Sequence, residues 1–162
     1  MVAAQAVEMC MKKKMEFTSD VFQQVLDHLS QLQNPPLLTF RVLMLCANVL
    51  KDLRKFIVKE VLPRLLQSEK RLWEVNPKGW EGVLRACKGL AGHRHASPLL
   101  LSILSLPLDV FVGIMRSSDV KEVGVNVLKY FNENSASMEV QEVVDQEKRQ
   151  ILEEMTNSKS KK

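Results

Sequence analysis

Two neighbouring histidines and three cysteines are the side chains with the greatest potential for metal or nucleophilic chemistry. Cys87, His93 and His95 together offer three ligands to a metal ion, whereas a structural zinc site needs four, usually in two close pairs. Cys87 also lies on the apolar face of its predicted helix, where a thiol typically behaves as a small hydrophobe. We therefore expect no metal site, and we interpret residues 93–95 as an exposed loop.

A cysteine nucleophile requires an activating base and an electropositive setting. Cys46 lies in the middle of the most apolar predicted helix and Cys10 in a terminal helix, and neither position offers that setting. The sequence also contains no glycine-rich phosphate loop, no acid pair set apart from a solvated face and no nucleophile elbow. We predict that the chain is not an enzyme and uses no cofactor. An enzyme whose cysteine or zinc site forms only on folding is kept as an alternative.

The elements that carry these residues are predicted to be helices throughout. The chain has 162 residues, of which 46% are hydrophobic and 26% charged; this is typical of a globular protein and not of a disordered or collagen-like one. Apolar residues recur with the helical period, and no segment alternates with period two for the length of a strand. We predict an all-α fold, a HEAT- or armadillo-like array of about eight short antiparallel helices. A compact irregular helical bundle is the alternative.

Prolines and polar breaks divide the predicted helices. Residues 37–50 are apolar almost all round, which predicts a helix that is surrounded by other helices at the centre of the core. Pro63 falls within the next apolar stripe and must kink or divide that helix, because proline cannot donate to the carbonyl four residues earlier. Asn76 and Pro77 predict an N-cap followed by proline at the first helical position. The predicted organisation is a helical-repeat domain over residues 1–135, a charged helix over residues 136–156 and a disordered basic tail over residues 157–162.

The positive charge of the chain is concentrated in two lysine clusters. The net charge is +4, but residues 12–14 and the tail residues Lys159, Lys161 and Lys162 supply six of the 23 basic groups. The remaining 17 basic groups face 19 acidic ones, so the body of the chain has no basic field that would attract nucleic acid. The tail lysines are a candidate basic import address. A helical module that binds RNA or DNA through the two clusters is an alternative function, because lysines contact phosphates.

The cysteines and the apolar stretches also bear on the cellular context. Three widely spaced cysteines with no signal peptide before them predict a reduced, intracellular compartment. The most apolar stretch, residues 98–115, is broken by Pro107 and Asp109 and does not predict a membrane span. We therefore expect no membrane partner.

Residues 71–87 form the most distinctive tract of the sequence. They resemble the C-terminal domain of the symplekin family, whose signature is a tryptophan, a short spacer with proline, Trp-Glu-Gly-Phe and then a cysteine. Val83 stands where the family usually has phenylalanine, and residues 89–95 form a loop that the family fills differently. Similarity in the flanking segments extends the resemblance over residues 5–131. The matching positions of the signature are Trp73, Pro77, Trp80, Glu81, Gly82 and Cys87.

The resemblance implies a protein-binding scaffold in the nuclear machinery that cleaves and polyadenylates the 3′ ends of pre-mRNA. In that family the domain is a helical array that holds the endonuclease subunit of the cleavage factor and its catalytically inactive homologue, without doing chemistry itself. Those two subunits are therefore the implied partners, with RNA contact only indirect or weak. Family members also carry a separate N-terminal helical-repeat domain, so this chain is expected to be a domain of a longer protein or a reduced form. A protein-interaction module unrelated to 3′-end processing is the alternative.

The candidate partner-binding residues lie along the edge of the same tract. By their expected exposure we assign this role to Trp73, Lys78, Trp80, Glu81 and Arg85. The two tryptophans flank the predicted helix start and are interpreted either as core pillars or, where a ring is partly exposed, as interface anchors. The charged last helix is a second candidate surface.

Overall fold

A computed structural model of the chain describes residues 5, 6, 8–10, 13 and 18–159. Over this part of the chain the all-α prediction is confirmed, because the described residues form helices and no strand. Residues 5, 6 and 8–10 are helical. The described residues beyond them form eleven α-helical segments: α1 Ser19–Gln31, α2 Leu37–Val49, α3 Arg54–Phe56, α4 Leu62–Leu65, α5 Leu72–Val75, α6 Pro77–Leu90, α7 Ser97–Leu104, α8 Leu108–Arg116, α9 Lys121–Asn134, α10 Met138–Val143 and α11 Gln146–Lys159.

The helices exceed the predicted eight in part because two predicted helices are divided, the one that contains Pro63 and the charged C-terminal one. The charged C-terminal helix is broken between α10 and α11, where the Asp145 carboxylate accepts a hydrogen bond from the Lys148 backbone N–H at 2.8 Å and begins a new helix. The helix α11 then continues to Lys159, so that residues 157–159 are helical where the sequence predicts a disordered tail. Residues 160–162 lie outside the described part of the chain.

The core joins helices that are distant in the sequence. Helix α2 makes its most extensive contact with α6, and α7 packs against residues 57–61. Val140, Val144 and Leu152, from the C-terminal segments, belong to the same buried cluster as the helices before them. The repeat order of a HEAT-like array stays a prediction.

Helix α2 lies at the core but is not enclosed by other helices. Its inward face is buried, as the apolar sequence predicts, through Thr39, Phe40, Val42, Leu43, Cys46 and Ala47. Leu37 and Val49, at its two ends, are 50% and 52% exposed. The prediction of a helix surrounded on all sides is therefore wrong, because one face of this apolar helix is open to solvent.

Pro63 divides its helix by a change of helical type. Residues 57–61 form a π-helical turn, and the Leu62 N–H donates to the Ile57 carbonyl five residues earlier. Pro63 follows as the second residue of α4. The chain thus inserts one additional residue before the proline and continues as a helix, which agrees with the predicted division of this segment.

The start of α6 agrees with the sequence-based prediction. The Asn76 side chain accepts a hydrogen bond from the Gly79 N–H at 3.0 Å, and Pro77 occupies the first turn. The same side chain donates to the Pro35 carbonyl at 3.2 Å. Asn76 therefore starts α6 and also ties it to the segment that enters α2.

Arg71, just before α5, has a left-handed backbone conformation with φ 44° and ψ 43°. A residue with a side chain pays about 1–2 kcal/mol there, which glycine avoids. The exposed ion pair of Arg71 with Glu74 is worth only a few tenths of a kcal/mol. Glycine costs about 0.5–1 kcal/mol more entropy on folding. Replacing Arg71 by glycine should therefore raise the free energy of unfolding by only about 0.5 kcal/mol, as measured by urea denaturation. The Arg71→Ala variant keeps the strain and should be less stable than wild type. A glycine variant no more stable than the alanine variant would contradict the strain at Arg71.

Two buried lysines close the ends of helices. The Lys70 ammonium donates to the carbonyls of Ser30 and Leu32 at the end of α1. The Lys148 ammonium donates to the Leu104 carbonyl at the end of α7 at 2.9 Å, and to the Val143 carbonyl at the end of α10 at 3.3 Å. A cation at these positions satisfies carbonyls that no helical N–H reaches. Each lysine therefore joins segments that are far apart in the sequence.

Burial has an electrostatic cost for both lysines. Desolvation lowers the pKa of Lys148, and the nearby Asp145 carboxylate opposes that shift. Desolvation, with the neighbouring Arg64, also lowers the pKa of Lys70. The ammonium groups remain inside because each has carbonyl acceptors in reach.

No single helix among the described residues is long and apolar enough to cross a membrane. Helices α7 and α8 reach that apolar length only when taken together, and they are bent by 119° at their break.

Candidate functional site

A groove of about 530 Å³ runs along the surface between α2 and α6. We call it the α2–α6 groove. Its apolar part is lined by Leu37, Phe40, Met44, Leu45 and Gly82. Its charged residues are Glu8, Arg41, Lys78, Glu81 and Arg85.

Helical spacing brings these side chains to one surface. Leu37, Arg41, Met44 and Leu45 follow one another at intervals of four, three and one along α2, and therefore share a face. Along α6 the intervals are three, one and three, so its lining residues also share a face: Lys78, Glu81, Gly82 and Arg85. Because α2 and α6 pack against each other, the two faces meet as the walls of one groove.

The close approach of the two helices depends on two glycines of α6. A Cβ atom at Gly82 would lie 2.8 Å from the Cβ of Phe40. A side chain at Gly79 would meet the edge of the Phe40 ring. These positions therefore require glycine because the Phe40 side chain occupies the space beside them.

Three of the five predicted partner-binding residues line the groove: Lys78, Glu81 and Arg85, all exposed. The other two, Trp73 and Trp80, lie outside its lining. Their rings pack edge to face, with centroids 5.8 Å apart and planes at 70°. Both pack against the core and are partly exposed. Their role as interface anchors stays a prediction.

Two cations of the groove have no acidic partner. Glu81 and Arg85 form an exposed ion pair at 3.9 Å, which contributes little to stability. Arg41 and Lys78 are exposed and have no ion-pair or hydrogen-bond partner among the described residues. These two cations are therefore available to a ligand.

Sequence reasoning missed the α2 wall of the groove. Residues 37–50 were predicted to be a core helix, so Leu37, Arg41 and Met44 were not considered as surface. The one available signal was Arg41, a charged residue within an otherwise apolar stretch. A fully enclosed helix has no place for an unpaired guanidinium, and that position predicts an open face.

The residues considered for metal or nucleophilic chemistry are placed as follows. Cys46 and Cys87 are fully buried, and burial raises the pKa of each thiol to about 12. The His93 and His95 rings lie 5.6 Å apart in the turn after α6. Among the described residues no group of three or more histidine, cysteine, aspartate or glutamate side chains is arranged to hold a metal ion.

The buried thiols should be nearly inert toward a thiol reagent such as dithionitrobenzoate in the folded chain. A pKa of about 12 in place of 9.0 lowers the thiolate fraction near neutral pH by roughly a thousandfold, and burial also denies access. We expect the partly exposed Cys10 to react first, and Cys46 and Cys87 only as the chain unfolds. The control reaction in denaturant should release three equivalents. A second fast thiol under native conditions would contradict the buried positions.

Most of the predicted basic address lies outside the described part of the chain. Lys161 and Lys162 are not among the described residues, and Lys159 is described only as the last residue of α11. In the N-terminal lysine cluster only Lys13 is described. The import address and the nucleic-acid alternative therefore stay predictions.

Comparison with known protein families identifies a match over most of the chain. Residues 2–117, most of the chain, match the family model described as symplekin tight junction protein C terminal. The matched span includes α1 to α8, and with them both walls of the α2–α6 groove. No curated protein and no solved structure matches the chain at a significant level.

Proposed function

This chain belongs to the symplekin C-terminal family, and from that membership we propose that it is a protein-binding scaffold in the machinery that processes the 3′ ends of pre-mRNA. The proposed partners are the endonuclease subunit of the cleavage factor and its catalytically inactive homologue. The proposed location is the nucleus. The observation that carries the proposal is the family match over residues 2–117, which contains the distinctive tract 71–87.

The α2–α6 groove supports a role in protein binding. It combines an accessible apolar lining with exposed cations along one face, which is the composition of a surface that docks another chain. The partly exposed pair Trp73 and Trp80 lies at the start of the same helix wall. Tryptophans in such positions are frequent energetic anchors of interfaces.

The proposed role is not enzymatic. Two of the three thiols, Cys46 and Cys87, are buried with raised pKa values, which makes them poor nucleophiles. The buried ammonium groups of Lys70 and Lys148 are bonded to backbone carbonyls. These ammonium groups therefore hold helices together through hydrogen bonds, as expected of a scaffold.

Affinity purification from nuclear extract tests the proposal. The tagged full chain should recover the cleavage endonuclease and its inactive homologue together. The matched control is a Phe111→Asp bait, because Phe111 is fully buried and a carboxylate there disrupts the core, while both lysine clusters remain. Recovery of an unrelated complex alone would overturn the proposal, as would equal recovery by the control bait.

A further inference from the structure

The α2–α6 groove has a definite chemistry, from which the kind of segment that it takes can be derived. We infer that the groove binds an amphipathic helix with acidic side chains, supplied by a partner protein. This inference rests on the proposed scaffold function and identifies the chemistry of the segment that the scaffold holds. It follows from the shape, the length and the charge of the groove.

The groove has the length of a short helix. A smaller cavity of about 40 Å³ continues it along the same two helices and shares Met44 and Arg85 with it. The lining of α2 thereby runs from Leu37 to Asn48, about 17 Å at the helical rise. Leu37, half exposed at one end, offers apolar surface to a ligand. A helix of three turns matches this length with one apolar face.

The charges of the groove select an acidic ligand. Arg41 and Lys78 have no acidic partner among the described residues, and Arg85 shares the groove's ion pair with Glu81. The continuation adds the guanidinium of Arg54, which donates to the Ala47 carbonyl at 2.7 Å. The lining therefore carries more cations than acids, and acidic side chains at the margin of the ligand complement them. The cations are Arg41, Arg54, Lys78 and Arg85, and the acids are Glu8 and Glu81.

A helix fits better than an extended peptide. An extended peptide gains affinity by adding to the edge of a sheet, and the described part of this chain has no strand. Polyproline ligands require a groove lined by aromatic rings. Here the only aromatic residue of the lining is Phe40, which is itself buried. Docking of an apolar helix face between two helices fits this lining better than either of those modes.

Photo-crosslinking of the full chain in nuclear extract tests the inference. Benzoylphenylalanine replaces Leu37 at the groove, and in a control chain it replaces Val125 of α9, which is 43% exposed and does not line the groove. The crosslinked partner peptide is sequenced by mass spectrometry. We expect a segment with apolar residues at helical spacing and acidic residues beside them from Leu37, and no such segment from Val125.

A charge reversal measures the contribution of the cations. Arg41→Glu with Lys78→Glu should lower the crosslink yield at Leu37 by about tenfold or more. Arg116→Glu with Lys121→Glu is the matched control, because both residues are exposed, outside the groove and equal in charge. That control should change the yield less than about twofold. An equal loss in both pairs would overturn the inference.

The remaining outcomes separate this inference from the proposed function. A crosslink to a basic segment, to nucleic acid or to the chain's own N-terminal residues would overturn the groove assignment. Recovery of the endonuclease without a crosslink at Leu37 would also overturn it, and would leave the scaffold proposal intact. A crosslink to an acidic amphipathic helix of a protein outside 3′-end processing would support the groove assignment and overturn the proposed partners.

Discussion

Replacing Lys148 by alanine should lower the free energy of unfolding by about 3–5 kcal/mol. The Lys148 ammonium is the hydrogen-bond donor to the carbonyls of Leu104 and Val143, and each buried acceptor left without a partner costs about 1–3 kcal/mol. The side chain is only 6% exposed, so its removal also leaves a gap against Phe111, whose ring centroid lies 6.0 Å from the ammonium nitrogen. Urea denaturation followed by circular dichroism measures the change.

Two further variants identify the cause. Lys148→Met keeps most of the apolar stem but cannot donate, so it should remain clearly less stable than wild type. Lys129→Ala, whose side chain is 71% exposed in a long ion pair with Glu133, should change the free energy of unfolding by less than about 0.5 kcal/mol. A methionine variant as stable as wild type would show that the carbonyl bonds of Lys148 do not stabilise the fold.

The Gly82→Val variant should lose about 3 kcal/mol of stability. A Cβ at Gly82 would lie 2.8 Å from the Cβ of Phe40, an atom fixed to the backbone that cannot rotate away. Extra carbon atoms in such a contact force helices α2 and α6 apart, and overpacking of this kind costs about 1–3 kcal/mol or more. Thermal unfolding should show a melting temperature lower by roughly 6–12 °C.

Gly89 on the same helix is the matched control, because nothing lies within 4 Å of its Cβ position. The Gly89→Val variant should be within about 0.5 kcal/mol of wild type, since the helix propensity of valine is no worse than that of glycine. If both valine variants lost equal stability, the cause would be helix propensity and not the contact with Phe40.

The helical character of the chain was predictable because its apolar residues repeat with the helical period. The start of α6 was predictable as well, since Asn76 and Pro77 act through local hydrogen bonding and a fixed φ angle. The position of Pro63 predicted a division of its helix but not its form. A π-helical turn depends on how residues 57–61 pack, and local sequence does not determine that.

The buried lysines were not predictable from the sequence. Lys70 and Lys148 lie in charged stretches that are typical of a solvated helix face. Their acceptors are 38 to 44 residues away for the bonds to Ser30, Leu32 and Leu104, so only the folded chain shows them. Burial of these two side chains is a tertiary effect that overrides local composition.

Only one of the two walls of the candidate site was predictable from the sequence. The α6 wall was assigned through Lys78, Glu81 and Arg85, because they belong to a distinctive tract on one helix. The α2 wall requires knowledge that α2 packs on α6 with one face left open, which follows from the fold alone. The sequence therefore predicted three residues of the candidate site but not the groove that they line.

The additional residue of the π-helical turn and Pro63 depend on each other. Deleting one residue from 57–61 would restore α-helical geometry and leave later side chains on nearly the same face, because the π-helical turn absorbs its additional residue within one turn. The ion pair of Arg64 with Asp27 would then remain, but Pro63 would leave the carbonyl four residues earlier unpaired in a regular α-helix. Insertion and proline are therefore expected to be gained or lost together as homologous chains diverge.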